Sequence, residues 1–203
     1  MTLEELRIAI RAETDHDGDT QVTDAQLNER INTDYQNLRR KLLQVAPSLY
    51  ATEDEEQTLA SGESTLAMPL GFERLVRLEK KVNGFWLPVE VSDELTPHYG
   101  ALNVREEDGV LKLAPAASAA GTWRIVYVPK PDGLVDDEDE AEIPEGLEDI
   151  LVQLGAAFVR RRLEEDPMPH LMMAKEVWNE QRSALRRRYG RHAVPAMRHV
   201  RRW

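Results

Sequence analysis

Residues 13–27 read ETDHDGDTQVTDAQL and crowd four aspartates around one glycine, the residue types from which a helix–loop–helix calcium site is built. Such a site takes oxygen ligands at loop positions 1, 3, 5, 7, 9 and 12, a glycine at 6, an aliphatic at 8 and a bidentate glutamate at 12. Started at Glu13, the loop puts Asp15, Asp17 and Gly18 at 3, 5 and 6 and Asp24 at 12, but Glu13 itself is overlong and Thr20 stands at 8. Started at Asp15, it puts Asp17, Asp19 and Val22 at 3, 5 and 8, but Thr20 falls at 6 and Gln26 at 12. Each frame fails at two defining places, and both Asp24 and Gln26 have another use at a helix start. The stretch reads as a polar turn between two helices. The alternative is a calcium-dependent binding module that uses the 13–24 loop.

Other chemistry is sparse. His16, His98, His170, His192 and His199 show no His-x-x-x-His or His-x-His spacing, which argues against a zinc site. With no cysteine, thiolate ligands, disulfides and a cysteine nucleophile are all excluded. There is no Gly-x-Ser-x-Gly, P-loop or Gly-x-Gly-x-x-Gly motif, and no acid stands out from an apolar context as a general acid. The chain reads as a non-enzyme without metal or cofactor. A cell-wall hydrolase activity is the weaker option.

The strongest local signal is at the C-terminus. RSALRRRYGRHAVPAMRHVRRW, residues 182–203, holds eight arginines with Tyr189 and Trp203 interleaved. A nucleic-acid arm is one reading, because arginine with aromatics suits phosphate and base contacts. An arm docking on an acidic protein partner is the second, since these residues anchor interfaces. The bland third is a solvated helix end whose Arg186, Arg187 and Arg188 complement the helix dipole. A terminal tryptophan has little reason to remain in water, which favours protein docking. The candidate docking residues are Arg186, Arg187, Arg188, Tyr189, Arg191, His192, Arg198, Arg201, Arg202 and Trp203. Trp86, Trp123, Trp178 and Phe158 read as core or interface residues.

The elements that must position such an arm can be read from periodicity. Leu3, Leu6 and Ile10 face one way on a short helix. Leu27, Ile31, Tyr35, Leu38, Leu42 and Val45 recur at three and four residues on a second helix of ~33 Å. Thr23 and Gln26 form a capping box at its start, and Pro47 ends it. From 51 to 131 short alternating runs such as RLVRLEKKV and TWRIVYVP are separated by turn signals, among them Asn83-Gly84 and Asp108-Gly109. Five to six antiparallel strands are expected there, with LTPHYG (95–100) as a loop. Six of the seven residues 136–142 are acidic, which predicts a solvated linker. Leu147, Ile150, Leu151, Leu154 and Phe158, then Leu171, Ala174, Trp178, Leu185 and Tyr189, form two further apolar stripes.

The predicted fold is therefore α+β: a mainly helical framework built from both chain ends, with an inserted small antiparallel β lobe. Its parts are N-terminal helices (1–50), a β-rich insertion (51–131), an acidic linker (132–146), C-terminal helices (147–190) and a basic arm (191–203). The net charge of −11 is unevenly spread: residues 1–149 carry −18 and residues 150–203 carry +7. That polarity predicts oriented contacts with more than one surface. The opening MTLEELRIAIRAE is too charged for a signal peptide, and no apolar run approaches the ~20 residues of a membrane span. No membrane partner is expected.

The order of these pieces resembles that of tailed-bacteriophage head-to-tail adaptor proteins. On the second helix Ile31, Asn32, Tyr35 and Leu38 fit the recurring iN-x-x-y-x-x-L core. SGESTLAMPLGFERLVRLEKKVNG is similar to the family's G-x-x-x-y-x-L-P-x-x-f-x-r-l segment. GVLKLAPAASAAGTWRIVYVPKPDGL and IPEGLEDILVQLGAAFVRRRLEED follow in the family's order. The resemblance covers residues 1–190 and implies a virion protein of the neck, assembled in the host cytoplasm. It implies a homo-oligomeric ring of twelve copies beneath the portal protein, extending the channel for double-stranded DNA without binding it specifically. It further implies a docking face for a downstream neck or tail protein, and a C-terminal arm reaching into the portal.

Overall fold

A computed structural model describes residues 1–15, 21–89, 91–92, 102–115 and 119–189. The expected loop at 95–100 lies outside them. The chain divides into two compact units. One is built from Met1–Ala46 and the segment from Pro131 through the last helix, the other from Pro47–Lys130.

The first unit is the helical framework, with α1 at Leu3–Thr14, α2 at Asp24–Val45, α3 at Glu148–Arg162 and α4 at Met168–Tyr189. Capping boxes open both N-terminal helices. In α1 the Thr2 hydroxyl accepts from Glu5 N at 3.2 Å and Glu5 Oε2 accepts from Thr2 N at 2.9 Å. In α2 Thr23 and Gln26 make the reciprocal pair at 3.3 and 3.1 Å, as the sequence predicts. Leu3, Leu6 and Ile10 are buried, as are Leu27, Ile31, Tyr35, Leu38, Leu42 and Val45, and α2 packs on α3 and α4.

The two later stripes differ from expectation. In α3 Ile150, Leu151, Val152, Gln153, Gly155, Ala156, Ala157 and Val159 are all buried, whereas Leu154 and Phe158 are only partly covered. The reason is position: α3 packs on α1, α2 and α4, so most of its circumference is interior and one amphipathic stripe is too few. Phe158 sits near the rim, with the Arg30 and Arg162 guanidinium carbons 5.8 and 5.3 Å from its ring centre. In α4 the inward positions are His170, Ala174 and Leu185, while Leu171 is exposed and Trp178 and Tyr189 are half-buried.

The second unit is the β lobe. It opens with a 3₁₀ turn at Pro47–Tyr50, followed by β1 Thr52–Glu53, β2 Gln57–Leu59, β3 Thr65–Ala67, β4 Phe72–Val82, β5 Phe85–Val89, β6 Val91–Ser92, β7 Leu102–Glu107, β8 Val110–Ala114 and β9 Gly121–Pro129. One sheet has the order β1-β9-β4-β5 with β2 also on β9, and the other runs β3-β8-β7-β6. All pairs are antiparallel except the two-residue pairing of β6 with β7. More strands form than the five to six expected, because pieces of two or three residues are too short to carry a period. Asn83-Gly84 and Asp108-Gly109 turn the β4–β5 and β7–β8 hairpins, with positive φ at all four residues (51°, 83°, 53° and 76°). Leu66, Val104, Leu111 and Leu113 of one sheet pack with Leu59, Phe72, Leu78, Trp123 and Ile125 of the other. Trp123 is fully buried, and its Nε1 donates to the Ala119 carbonyl at 2.6 Å.

Candidate docking site

The arginine-rich stretch begins on the last turn of α4, so the anchoring of α4 decides how firmly Arg186, Arg187 and Arg188 are held. Asp166 Oδ1 accepts from Met168 N at 2.9 Å and caps the start. Pro169 lies in the first turn, where a missing N–H costs nothing. One turn further in, buried His170 meets Gln153 of α3, with Nδ1 and Oε1 2.8 Å apart. Gln153 Nε2 donates to Glu13 of α1 at 3.2 Å, which leaves its Oε1 to accept from His170. This polar chain ties three helices together. Near the other end Leu185 is buried and fixes the last turns.

Arg186, Arg187 and Arg188 are exposed on that last turn, and Tyr189 is half-buried with the Arg188 guanidinium carbon 5.3 Å from its ring centre. Successive helical residues are ~100° apart, so the three arginines fan around the helix instead of sharing one face. Their charge complements the helix C-terminus. Arg191, His192, Arg198, Arg201, Arg202 and Trp203 lie outside the described residues.

The acidic loop is partly described: residues 16–20, with Asp17 and Asp19, fall outside. Its flanks are engaged by the framework. Asp15 closes α1 in the left-handed conformation at φ 57°. Asp24 Oδ1 accepts from Arg11 Nη2 at 2.7 Å, and Gln26 holds the capping box. Both side chains that could serve as ligand 12 therefore already have partners in the helix start.

The linker at 132–146 differs from the solvated loop its charge suggests. Asn32 on α2 grips its main chain: Nδ2 donates to the Leu134 carbonyl at 2.6 Å, and Oδ1 accepts from Leu134 N at 2.8 Å. The carbonyls of Asp139 and Asp137 accept from Leu3 N and Glu4 N at 2.9 and 3.2 Å, satisfying donors at the start of α1. Asp137 pairs with Arg7 at 2.7 Å, and Leu134 and Ala141 are buried. The main chain is thus docked while Asp136, Glu138 and Glu140 remain exposed. Asp139 accepts from Val135 N and Asp136 N, which holds its carboxyl below the usual range.

A second polar cluster, on the β lobe, has no sequence signal because its members lie on separated strands. Glu79 is buried on β4 between Arg77 (Nε to Oε1, 2.6 Å) and Arg124 of β9 (Nε to Oε2, 2.9 Å), and Arg124 also pairs with Glu53 of β1. Trp86 of β5 is half-buried beneath two cations, with Arg124 at 4.6 Å and Lys81 at 5.2 Å from its ring centre. Burial alone would push the Glu79 carboxyl up, but the hydrogen bonds from Arg124 and Arg77 outweigh it and hold the group below its ordinary value.

Among the described residues no helix is long and apolar enough to cross a membrane. Nor does any group of three or more carboxylate and imidazole side chains among them converge as a metal cage would. No curated protein matches the chain. The family model described as SU10 adaptor protein matches residues 1–202. With the match running over almost the whole length, helices and β lobe alike, this chain belongs to the SU10 adaptor protein family.

Proposed function

We propose that this chain is the repeating subunit of a twelve-copy ring in the neck of a tailed-phage virion. The ring binds beneath the portal protein, extends the DNA channel and docks the next neck or tail protein. The observation that carries this reading is the family match over residues 1–202. The −18 carried by residues 1–149 supports it, because a like-charged wall avoids the multi-phosphate contacts that hold duplex DNA. Double-stranded DNA then slides through without specific binding, and the role is structural, with no reaction catalysed.

The arm docks on the portal through Arg186, Arg187, Arg188, Tyr189, Arg191, His192, Arg198, Arg201, Arg202 and Trp203. Trp203 enters an apolar pocket, and the arginines set steering and register on acidic residues around it. The α4 anchors at His170 and Leu185 support this by giving the arm a firm base. Truncation after Gly190 is expected to leave a folded protein that does not join purified portal rings. Trp203→Ala should weaken attachment more than loss of any one exposed arginine, because exposed ion pairs contribute only ~0–1 kcal/mol each. Undiminished portal binding by the truncated protein would overturn the arm. DNA affinity that falls steeply with salt and ignores Trp203 would instead favour a nucleic-acid arm.

A further inference from the structure

Two exposed surfaces of the helical unit differ in charge, and the helices that bear them flank α3, which packs on both α1 and α4. On α4, Leu171, Met172, Lys175, Arg182 and Arg186 lie three, four, seven, fourteen and eighteen residues after Met168 and share one exposed stripe with it. Its first turns are apolar, with Met168 53% and Met172 57% exposed, and the rest is cationic. Glu176 only borders the stripe, and Glu180 lies on another face. Among the described residues none of the three cations is in an ion pair.

The other surface is formed where the linker runs along the first turn of α1, held by the hydrogen bonds to Leu3 N and Glu4 N and by the Arg7–Asp137 pair. It exposes Ile8 (61%), one turn from Glu4 on α1, and Val135 (77%), on the linker with Asp136, Glu138 and Glu140. A lone exposed isoleucine would need no explanation. Here, however, both surfaces combine exposed apolar side chains with charge, mainly cationic on the α4 stripe and mainly acidic on the linker.

We propose that the Met168–Arg186 stripe of α4 docks on the α1–linker surface of a second copy of this chain, joining copies head to tail. This rests on the ring reading above and names the contact that builds the ring. Two different patches meeting is the heterologous arrangement, which closes into a ring when the rotation permits. Methionine side chains adapt to an apolar neighbour, and the opposed charges set register.

The chain has no cysteine, so engineered thiols report without background. Ile8→Cys and Met172→Cys on one chain are expected to give a ladder of disulfide-linked multimers on mild oxidation, alone or with portal rings present. A mixture of the two single variants should stop at a disulfide-linked dimer, and each single variant alone should stay unlinked. Lys175→Glu with Arg182→Glu should cut the linked fraction roughly tenfold at low salt, with partial recovery when Asp136→Arg and Glu138→Arg are added. A double variant that stays monomeric overturns the contact, as does self-linking by Met172→Cys alone, which would mean a two-fold interface. Light scattering and electron microscopy of the wild type separate the causes. Rings without the ladder sink this contact only, whereas a wild type that is monomeric with and without portal sinks the ring reading as well.

Discussion

The side-chain amide of Asn32 on α2 holds the main chain of Leu134 from both sides, donating to its carbonyl at 2.6 Å and accepting from its N–H at 2.8 Å. Ile31 and Tyr35 beside it fill the core, so one turn of helix both packs inward and clamps the returning chain. Asn32→Ala leaves a part-buried peptide group without its partner and is expected to cost about 1–3 kcal/mol. Asn32→Asp keeps the acceptor for Leu134 N but sets a carboxylate against the Leu134 carbonyl, so it should rescue little. Urea denaturation of the three proteins checks this. An alanine variant with an unchanged midpoint would mean that the clamp contributes nothing.

Gly155 of α3 lies under Ile10 of α1 so closely that a Cβ built on it would be 2.3 Å from Ile10 Cδ1 and 2.8 Å from Cγ1. Alanine is the better helix former by about 1 kcal/mol, but overpacking costs about 1–3 kcal/mol, and the steric term should win. Gly155→Ala is expected to destabilise, and Ile10→Val, which removes the nearest atom, should relieve part of that loss. A double-mutant cycle reads the coupling directly. Simple additivity of the two changes would mean that Ile10 Cδ1 is not what opposes the added methyl.

Glu79 gives the β lobe an acid-sensitive element. Its folded-state carboxyl is held below the ordinary 4.5, so its contribution to stability is present above that value. The contribution is lost as pH falls through the depressed folded value, when the proton displaces the Arg77 and Arg124 contacts. Glu79→Gln should lower stability at neutral pH and flatten the decline below pH 4.5. Thermal melts across that window, followed by near-ultraviolet dichroism of Trp86 and Trp123, test the sign. An unchanged acid slope in the variant would assign the sensitivity elsewhere.

Features that depend on neighbours within a few residues were legible in the sequence. The Thr23–Gln26 capping box, the Pro47 stop, the Asn83-Gly84 and Asp108-Gly109 turns and the α2 stripe all form as read. Each rests on backbone geometry or on the 3.6-residue period, which local residue types dictate. The α+β class followed from the change of period near residue 51 and its return near 147, and the order of motifs pointed to the adaptor family.

What tertiary structure alone decided involves residues far apart in the chain. Acidity at 136–142 predicts carboxylates in water, yet says nothing of a main chain pinned by Asn32 and by the start of α1, since peptide groups look alike at every position. His170 stood among five unremarkable histidines until Gln153 and Glu13 were brought to it. Leu154 and Leu171 fit their stripes but are not buried: Leu154, with Phe158, lies on the one side of α3 that its neighbours cover only in part, and Leu171 lies on an exposed side of α4. Periodicity says that a helix has an apolar side. How much of its circumference is interior depends on how many neighbours the fold places around it, and those come from the other end of the chain.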